Sequence, residues 1–399
     1  MKPKIVSVVG ARPQLIKLAP VAQALADAGL THRIVHSGQH YDPAMSDAFF
    51  ADLAIPPPDI NLGIGSGSHA NQTAAMLPAL EELFLEEQPD WVLVYGDTNT
   101  TLAAALAAIK VHFPVAHLEA GLRSFNRRMP EEHNRVLTDH ASDLLLAPTR
   151  VAMAHLAAEG LAERARLVGD VMTDVCYQVA DAVRPAWRDT PGSPGFSRVR
   201  PPGSSQGRPA EFDQGRPPGL SLERAGTRPP VGADSAQPGG YLLATIHRPD
   251  NTDQPDRLDA IIQALAALPL PVRLPAHPRL RQRAGQFGIK LQRGAIEVVE
   301  PLAYPAMIAN LIDSAGLVTD SGGLQKEAYL LGRLCTTLRP ETEWTETLED
   351  GWNVLADDPA AIAAAALRPV PRIAPAQPYG DGQAAAKVAA ALIDPTAVD

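Results

Sequence analysis

Two cysteines, Cys176 and Cys335, in 399 residues leave this chain neither a disulfide framework nor a thiolate metal site. They read instead as small buried apolar residues. No stretch approaches the roughly 18 consecutive apolar residues of a membrane-spanning helix, so no membrane partner is expected. The opening Met1-Lys-Pro-Lys-Ile-Val-Ser-Val-Val9 runs straight into a strand, without the apolar core and small-residue cleavage site of a secretory signal. The cytoplasm is the expected location. Basic charge is also short: 35 Lys and Arg against 45 Asp and Glu give a net charge of −10, which argues against a nucleic-acid surface. An anionic small ligand remains compatible, because local arginines, lysines and helix ends can reverse the field within one cleft.

What is present is the balance of a globular enzyme, 45% hydrophobic and 20% charged, with a length that favours two or three domains. Short β-rich runs alternate with Ala- and Leu-rich helical stretches, the pattern of parallel sheets covered by helices. Strands are expected at 4 to 9, 33 to 37, 91 to 95, 114 to 118 and 143 to 147. A second series is expected at 241 to 246, 271 to 275, 296 to 299, 316 to 319 and 334 to 338. Between the two series, residues 186 to 240 are filled with Pro, Gly, Ser and Arg and read as a disordered insertion and linker. The expected organisation is therefore an α/β chain with an N-terminal Rossmann-like domain over 1 to 185, that insertion, a second Rossmann-like domain over 241 to 372, and a tail over 373 to 399 ending in an Ala-rich helix.

Polar residues gather just after these strands. His117-Leu-Glu-Ala-Gly-Leu-Arg123 and Met129-Pro-Glu-Glu-His-Asn-Arg135 pack three carboxylates into nineteen positions. Glu119 ends an apolar strand, where open α/β sheets bind ligands. Pro130 can open a helix, which would set Glu131 and Arg135 one turn apart as an i to i+4 ion pair. Asp97 follows Trp91-Val-Leu-Val-Tyr95 and reads equally as a helix cap or a site carboxylate. Val8-Val-Gly-Ala-Arg12 leads from a strand through a glycine turn into a helix carrying Lys17. In the second half, Thr245-Ile-His-Arg248 ends a strand with two groups able to carry positive charge, and His277 follows another. Asp320-Ser-Gly-Gly323 opens a further helix, whose free amides and positive dipole end make an anion site. Glu327, one turn in, suits a ribose diol better than a phosphate. The plainer alternative for Ser321 is an N-cap on a tight turn.

Taken together, Gly10-Ala-Arg-Pro-Gln-Leu-Ile-Lys17, Gly38-Gln-His40, Gly96-Asp-Thr98, Glu119-Ala-Gly-Leu-Arg123, Pro130-Glu-Glu-His-Asn-Arg135, His247-Arg248, Asp320-Ser-Gly-Gly323 and Glu343-Trp-Thr-Glu346 resemble the non-hydrolysing UDP-N-acetylglucosamine 2-epimerase family. The resemblance implies a glycosyltransferase-B architecture, two Rossmann-like domains facing a cleft, and a homodimer. It implies interconversion of UDP-N-acetylglucosamine and UDP-N-acetylmannosamine, with neither cofactor nor metal, by loss of UDP to a 2-acetamidoglucal and re-addition. By position, Asp97, Glu119 and Glu131 match the family's catalytic carboxylates, and His247 matches a histidine near the diphosphate. Arg12, Lys17, Arg135 and His247 would hold phosphates or neutralise the carboxylates, while Ser321, Gly322, Gly323 and Glu327 would hold diphosphate and ribose.

Three departures stand out. Gln14 replaces a Glu common in bacterial members, Trp344 replaces an Arg, and Gln39-His40-Tyr-Asp-Pro-Ala-Met45 spaces its Met differently. The first two resemble the branch that holds archaeal enzymes and the 2-epimerases of UDP-2,3-diacetamido-2,3-dideoxyglucuronate, the alternative substrate. A glycosyltransferase or a hydrolysing epimerase would share the two-domain shape and stand as more distant readings.

Overall fold

The computed structural model describes residues 2–38, 56–65, 67–185, 187, 240–372 and 374–396. The Gln39 to Met45 segment and nearly all of the insertion expected at 186 to 240 lie outside the described residues. The chain forms two compact units: residues 1–179 with 377–399, and residues 180–376.

In the first unit the strands are β1 (Lys4–Val9), β2 (Thr31–His36), β3 (Ile60–Asn61), β4 (Trp91–Tyr95), β5 (Val115–Leu118), β6 (Leu144–Ala147) and β7 (Ala165–Leu167). They form one sheet in the order β3-β2-β1-β4-β5-β6-β7, parallel throughout. The central strands are apolar on both faces, as a sheet sandwiched between helix layers requires. The second unit holds β8 (Leu242–Thr245), β9 (Val272–Pro275), β10 (Ile296–Val299), β11 (Gly316–Thr319), β12 (Leu334–Thr337) and β13 (Asn353–Leu355). Its order is β10-β9-β8-β11-β12-β13, again all parallel. Two doubly wound units of this kind bear out the parallel sheets expected from the strand and helix alternation and make up the glycosyltransferase-B-like fold class that the resemblance implied.

In each sheet the chain order reverses at one place, between β1 and β4 in the first and between β8 and β11 in the second. At such a switch point the connections leave the two neighbouring strands in opposite directions, opening a crevice at the strands' carboxyl ends. The turns there are Gly10–Ala11 and Gly96–Thr98 in the first unit, and Ile246–Arg248 and Asp320–Ser321 in the second. Every one carries candidate site residues or stands next to one.

The C-terminal helix Ala384–Ile393 belongs to the first unit, where Ala385, Val388 and Leu392 join Leu15, Leu18 and Leu25 of the helix Arg12–Asp27 in one core. Among the described residues no helix is long and apolar enough to cross a membrane. Cys176 and Cys335 are both buried, and neither is in a disulfide.

Candidate functional site

In the first unit, the turns after β1, β4 and β5 and the start of the helix Pro130–Ala141 bring the polar residues together. Lys17 points at Glu119, its Nζ donating to Oε2 in a short ion pair. Burial works against the Lys17 ammonium, yet the facing Glu119 carboxylate, helped by Asp97 and Asp170, outweighs it and holds the group above the ordinary lysine range. Gly96 has φ 61°, and a Cβ built there would lie 3.2 Å from Glu119 Oε2 and 3.5 Å from Lys17 Nζ. The glycine thus lets the residue before Asp97 approach the Lys17–Glu119 pair. Glu119 itself has φ 72°, a left-handed conformation unusual for a side-chain-bearing residue. Its amide and that of Ala120 both donate to Leu146 O, which turns the chain sharply off β5.

Asp97 is not the cap of the helix Asn99–Lys110; Thr98 is, its hydroxyl accepting from Thr101 N. Asp97 Oδ2 instead accepts from Arg135 Nη2 at 2.6 Å and Nε at 2.9 Å. The i to i+4 ion pair that the spacing of Glu131 and Arg135 permits, the plainer reading of the two residues, does not form. Arg135 reaches Glu132 Oε2 at 3.0 Å, an i to i+3 pair, because Asp97 draws the guanidinium to the other side. Burial would lower the Arg135 pKa, but Asp97 and Glu132 together raise it. Glu132 is further engaged by Ser124 N, Ser124 Oγ and Phe125 N at 2.8–2.9 Å. It pins the loop leading into the helix. Glu131, half-buried in the first turn, makes no hydrogen bond or ion pair with the described residues.

Arg12 opens the helix Arg12–Asp27, and its side chain lies outside the described atoms. Gln14 is buried under this turn. Its Oε1 accepts from Gly10 N and Ala11 N at 2.8 and 2.9 Å, while Nε2 donates to Tyr95 O at 2.8 Å and to the Thr98 and Thr101 hydroxyls at 3.0 Å. The β1 and β4 turns are tied together by this one amide.

In the second unit, Ser321 caps the helix Gly322–Leu330, its hydroxyl accepting from Leu324 N at 3.4 Å while its own amide donates to Thr319 Oγ1 at 3.0 Å. The cap and the anion site coexist, since the first amides of a helix have no partner within it. Nothing lies within 4 Å of a Cβ built on Gly323, whereas one on Gly322 would lie 2.5 Å from Glu343 Oε1 and 3.7 Å from Arg248 Nη2. Glu327 is buried one turn further in.

His247 is held by Asp320, whose Oδ1 lies 3.0 Å from Nδ1. The buried Asp320 carboxylate also accepts from the amides of His247 and Arg248 and from Asn251 Nδ2 at 3.0–3.1 Å. Burial alone would raise its pKa; the His247 bond and charge, then the Arg248 amide, outweigh that and hold it below the usual carboxylate range. Facing His247, the His277 ring has its centroid 5.9 Å away. Burial first, then the neighbouring His247 and Arg279, push the His277 pKa down.

Glu343 and Asp320 were assigned no role by the sequence, although both sit inside motifs it singled out. Lys326 was not singled out either, and its Nζ lies 4.0 Å from the centre of the Trp344 ring, a cation–π contact. Among the described residues no group of three His, Cys, Asp or Glu side chains is arranged to hold a metal.

The family model described as UDP-N-acetylglucosamine 2-epimerase matches residues 23–193 and 220–393. The chain is 42% identical over 396 residues to a UDP-2,3-diacetamido-2,3-dideoxy-D-glucuronate 2-epimerase of Pseudomonas aeruginosa, covering 97% of this chain and 98% of the relative. It is 37% identical over 363 residues to a UDP-N-acetylglucosamine 2-epimerase of Methanocaldococcus jannaschii, covering 89% and 88%. A crystal structure of the UDP-GlcNAc 2-epimerase from Methanocaldococcus jannaschii, in complex with UDP-GlcNAc and UDP, superposes with a TM-score of 0.73 at 32% identity, over 98% of this chain and 99% of that one. The chain belongs to the UDP-N-acetylglucosamine 2-epimerase family of isomerases.

Proposed function

We propose that the chain inverts C2 of a UDP-linked 2-acetamido sugar, interconverting UDP-N-acetylglucosamine and UDP-N-acetylmannosamine. The observation that carries this reading is the gathering of Asp97 and Glu119 at the carboxyl ends of β4 and β5, each held by a cation, with Glu131, which has no such partner among the described residues, in the first turn of the helix that supplies Arg135. The C2 hydrogen of a sugar is barely acidic, so it leaves only as the C1–O bond breaks. The base takes the proton, the C2–H electron pair becomes the C1=C2 bond, and UDP departs with the C1–O pair. Protonation of C2 from the other face and return of UDP oxygen to C1 complete the inversion.

Asp97 or Glu119 is the base in this reading, and Glu131 is the proton donor or ring-orienting group. Carboxylates also stabilise positive charge on the ring as the bond breaks. Lys17 pairs with Glu119 and Arg135 with Asp97, and these contacts aim the two carboxylates. Recognition of UDP is assigned to the second unit, with the helix tip at Ser321, Gly322 and Gly323 for the diphosphate, Glu327 for the ribose and His247 for phosphate charge; Arg12, in the first unit, is also assigned to phosphate charge. As a non-hydrolysing enzyme it needs neither metal nor nicotinamide.

A second substrate reading is favoured by a specific observation. The 42% identical Pseudomonas aeruginosa relative is a 2-epimerase of UDP-2,3-diacetamido-2,3-dideoxy-D-glucuronate, and that sugar differs from UDP-N-acetylglucosamine at C3 and C6 but not at C2. The same carboxylates would serve both. Incubating the full chain with each UDP-sugar in deuterated water and following C2 by NMR tests the proposal. Deuterium at C2 accompanied by the inverted UDP-sugar is expected with at least one of the two. Free reducing sugar and UDP instead would identify a hydrolysing epimerase, and no change in either substrate would refute the assignment.

A further inference from the structure

Behind the two base candidates lies a buried group that the reaction above does not use. His117, on β5 two residues before Glu119, has no solvent exposure, and its ring bridges two acceptors: Nδ1 lies 2.7 Å from Asp139 Oδ1, and Nε2 lies 2.7 Å from the carbonyl oxygen of Gly96. A ring carrying hydrogen on both nitrogens satisfies both. Asp139, also without exposure, is on the helix Pro130–Ala141. Its other oxygen accepts from Gly121 N at 3.0 Å and Arg123 Nη1 at 2.7 Å. Burial works against this carboxylate, yet His117 and then Arg123 hold its pKa below the usual range. Arg123 is braced in turn by a two-pronged pair to Glu159 at 2.7 and 2.8 Å.

This geometry has a direction. Asp139 grips the chain two residues before Glu119, two residues after it and four residues after it. That chain needs gripping, because Glu119 sits at φ 72° and Gly121 at φ 81°. Through the His117 ring the same carboxylate reaches the carbonyl of Gly96, the residue that precedes Asp97 and whose missing side chain admits the Lys17–Glu119 pair. One buried couple therefore sets the backbone under both base candidates, and it does so from a helix whose first turn carries Glu131.

We propose that His117 and Asp139 are positioning residues of the active site, which fix the Gly96–Asp97 and Glu119–Gly121 turns at the separation the C2 proton transfers require. The inference rests on the assignment of Asp97 and Glu119 to those transfers. Removing the couple lowers turnover by displacing the carboxylates, without touching the UDP site in the other unit.

The test compares three variants of the full chain. His117→Phe keeps a flat aromatic ring, slightly larger, and loses both bonds, and Asp139→Ala removes the anchor. Asp139→Asn is the conservative rescue: its amide nitrogen can donate to His117 Nδ1, leaving Nε2–H for Gly96 O, while its oxygen still accepts from Gly121 and Arg123. With active-site concentration fixed by UDP titration, His117→Phe and Asp139→Ala are expected to lose about 100-fold in kcat, the scale of a misplacement near 1 Å, with KM and UDP affinity within about threefold. Asp139→Asn is expected to stay within about tenfold of the parent. Amide hydrogen exchange over Gly96 to Thr98 should quicken in His117→Phe and stay near the parent rate in Asp139→Asn; this readout does not depend on activity and stands if either stronger variant folds poorly.

Parent-like kcat in His117→Phe, or unchanged exchange over that turn, overturns the positioning role. If Asp97→Asn and Glu119→Gln also turn over normally, the site assignment itself fails. Loss of turnover in those two variants beside a parent-like His117→Phe would sink the positioning role alone.

Discussion

The C-terminal helix is fastened by a carboxylate whose protonation can be read in the stability of the first unit. Asp174 Oδ1 accepts from Ala384 N at 3.0 Å and Oδ2 accepts from Ala385 N at 2.8 Å, so the first turn of the helix Ala384–Ile393 docks on a side chain 210 residues away. Burial pushes the carboxyl up from 3.8 to about 6; the two amides oppose that shift, and Asp170 and Asp381 add to it. A folded pKa above the unfolded value means that the folded chain binds the extra proton. The stabilisation linked to that proton is complete below about pH 4 and is lost as pH rises through about 6. A shift of about two units at 1.36 kcal/mol each gives about 3 kcal/mol between those limits. Asp174→Asn keeps one acceptor and a similar shape but does not titrate. Relative to the parent it should therefore gain about 3 kcal/mol on going from pH 4 to pH 7.5, or roughly 6 to 12 °C in Tm for a unit of this size. Thermal melts of both proteins at several pH values between 4 and 7.5 measure the difference directly, and the many other carboxylates cancel because they are common to both. A Tm difference that stays constant across that range would refute the reasoning.

Gln14→Glu replaces the amide that donates to Tyr95 O with a carboxylate facing a carbonyl in a buried place. About 2 kcal/mol of stability should be lost at pH 7.5, since the Gly10 and Ala11 amides still favour the charge, and part should return on acidification as the new side chain regains a donor; unchanged denaturant midpoints at both pH values would contradict this. Gly322→Ala places a methyl group where Glu343 Oε1 lies 2.5 Å away, a flexible carboxylate that can swing aside, so stability should hold within about 1 kcal/mol. UDP affinity measured by calorimetry should nevertheless fall about tenfold, because the methyl crowds the anion's approach to the helix tip, and parent-like affinity would remove the tip from the UDP site.

The long strands are legible in the sequence because a parallel strand covered on both faces must be an apolar run. Ten of these runs appear near their expected positions, from β1 to β12, with ends moved by one or two residues. The strands that sequence reasoning missed are β3, β7 and β13, of two or three residues at sheet edges, where one neighbour and partial exposure leave no apolar run to read. The site divides in a similar way. Asp97 and Thr98 are both good cap residues, and spacing alone does not choose between them. The choice is made by Arg135, which reaches Asp97 from a helix about forty residues on. Glu131 and Glu132 are likewise interchangeable as letters, yet a helix advances about 100° per residue. That one step turns Glu132 toward the loop amides and Arg135 and leaves Glu131 open.

The buried carboxylates were the least legible of all, for a reason that also explains their place. Asp139, Asp174 and Asp320 bond to groups 22, 210 and 73 residues away, so no local pattern reveals their role, even for Asp320 inside a motif. Each occupies a position where a turn's backbone amides, or a helix's first amides, would otherwise be left without an acceptor, and a buried amide without one costs about 1–3 kcal/mol. Residues proposed to meet substrate gather at strand ends and read as motifs because the sheet delivers them there. Residues that hold those ends in place are scattered, since they are recruited from whatever packs behind each turn, the helix Pro130–Ala141 for Asp139 and the neighbouring strand end for Asp320. Asp139 and Asp320 occupy equivalent positions in this logic, one beneath Glu119 and the other beneath His247. The turn assigned chemistry in each unit thus leans on a single buried anion.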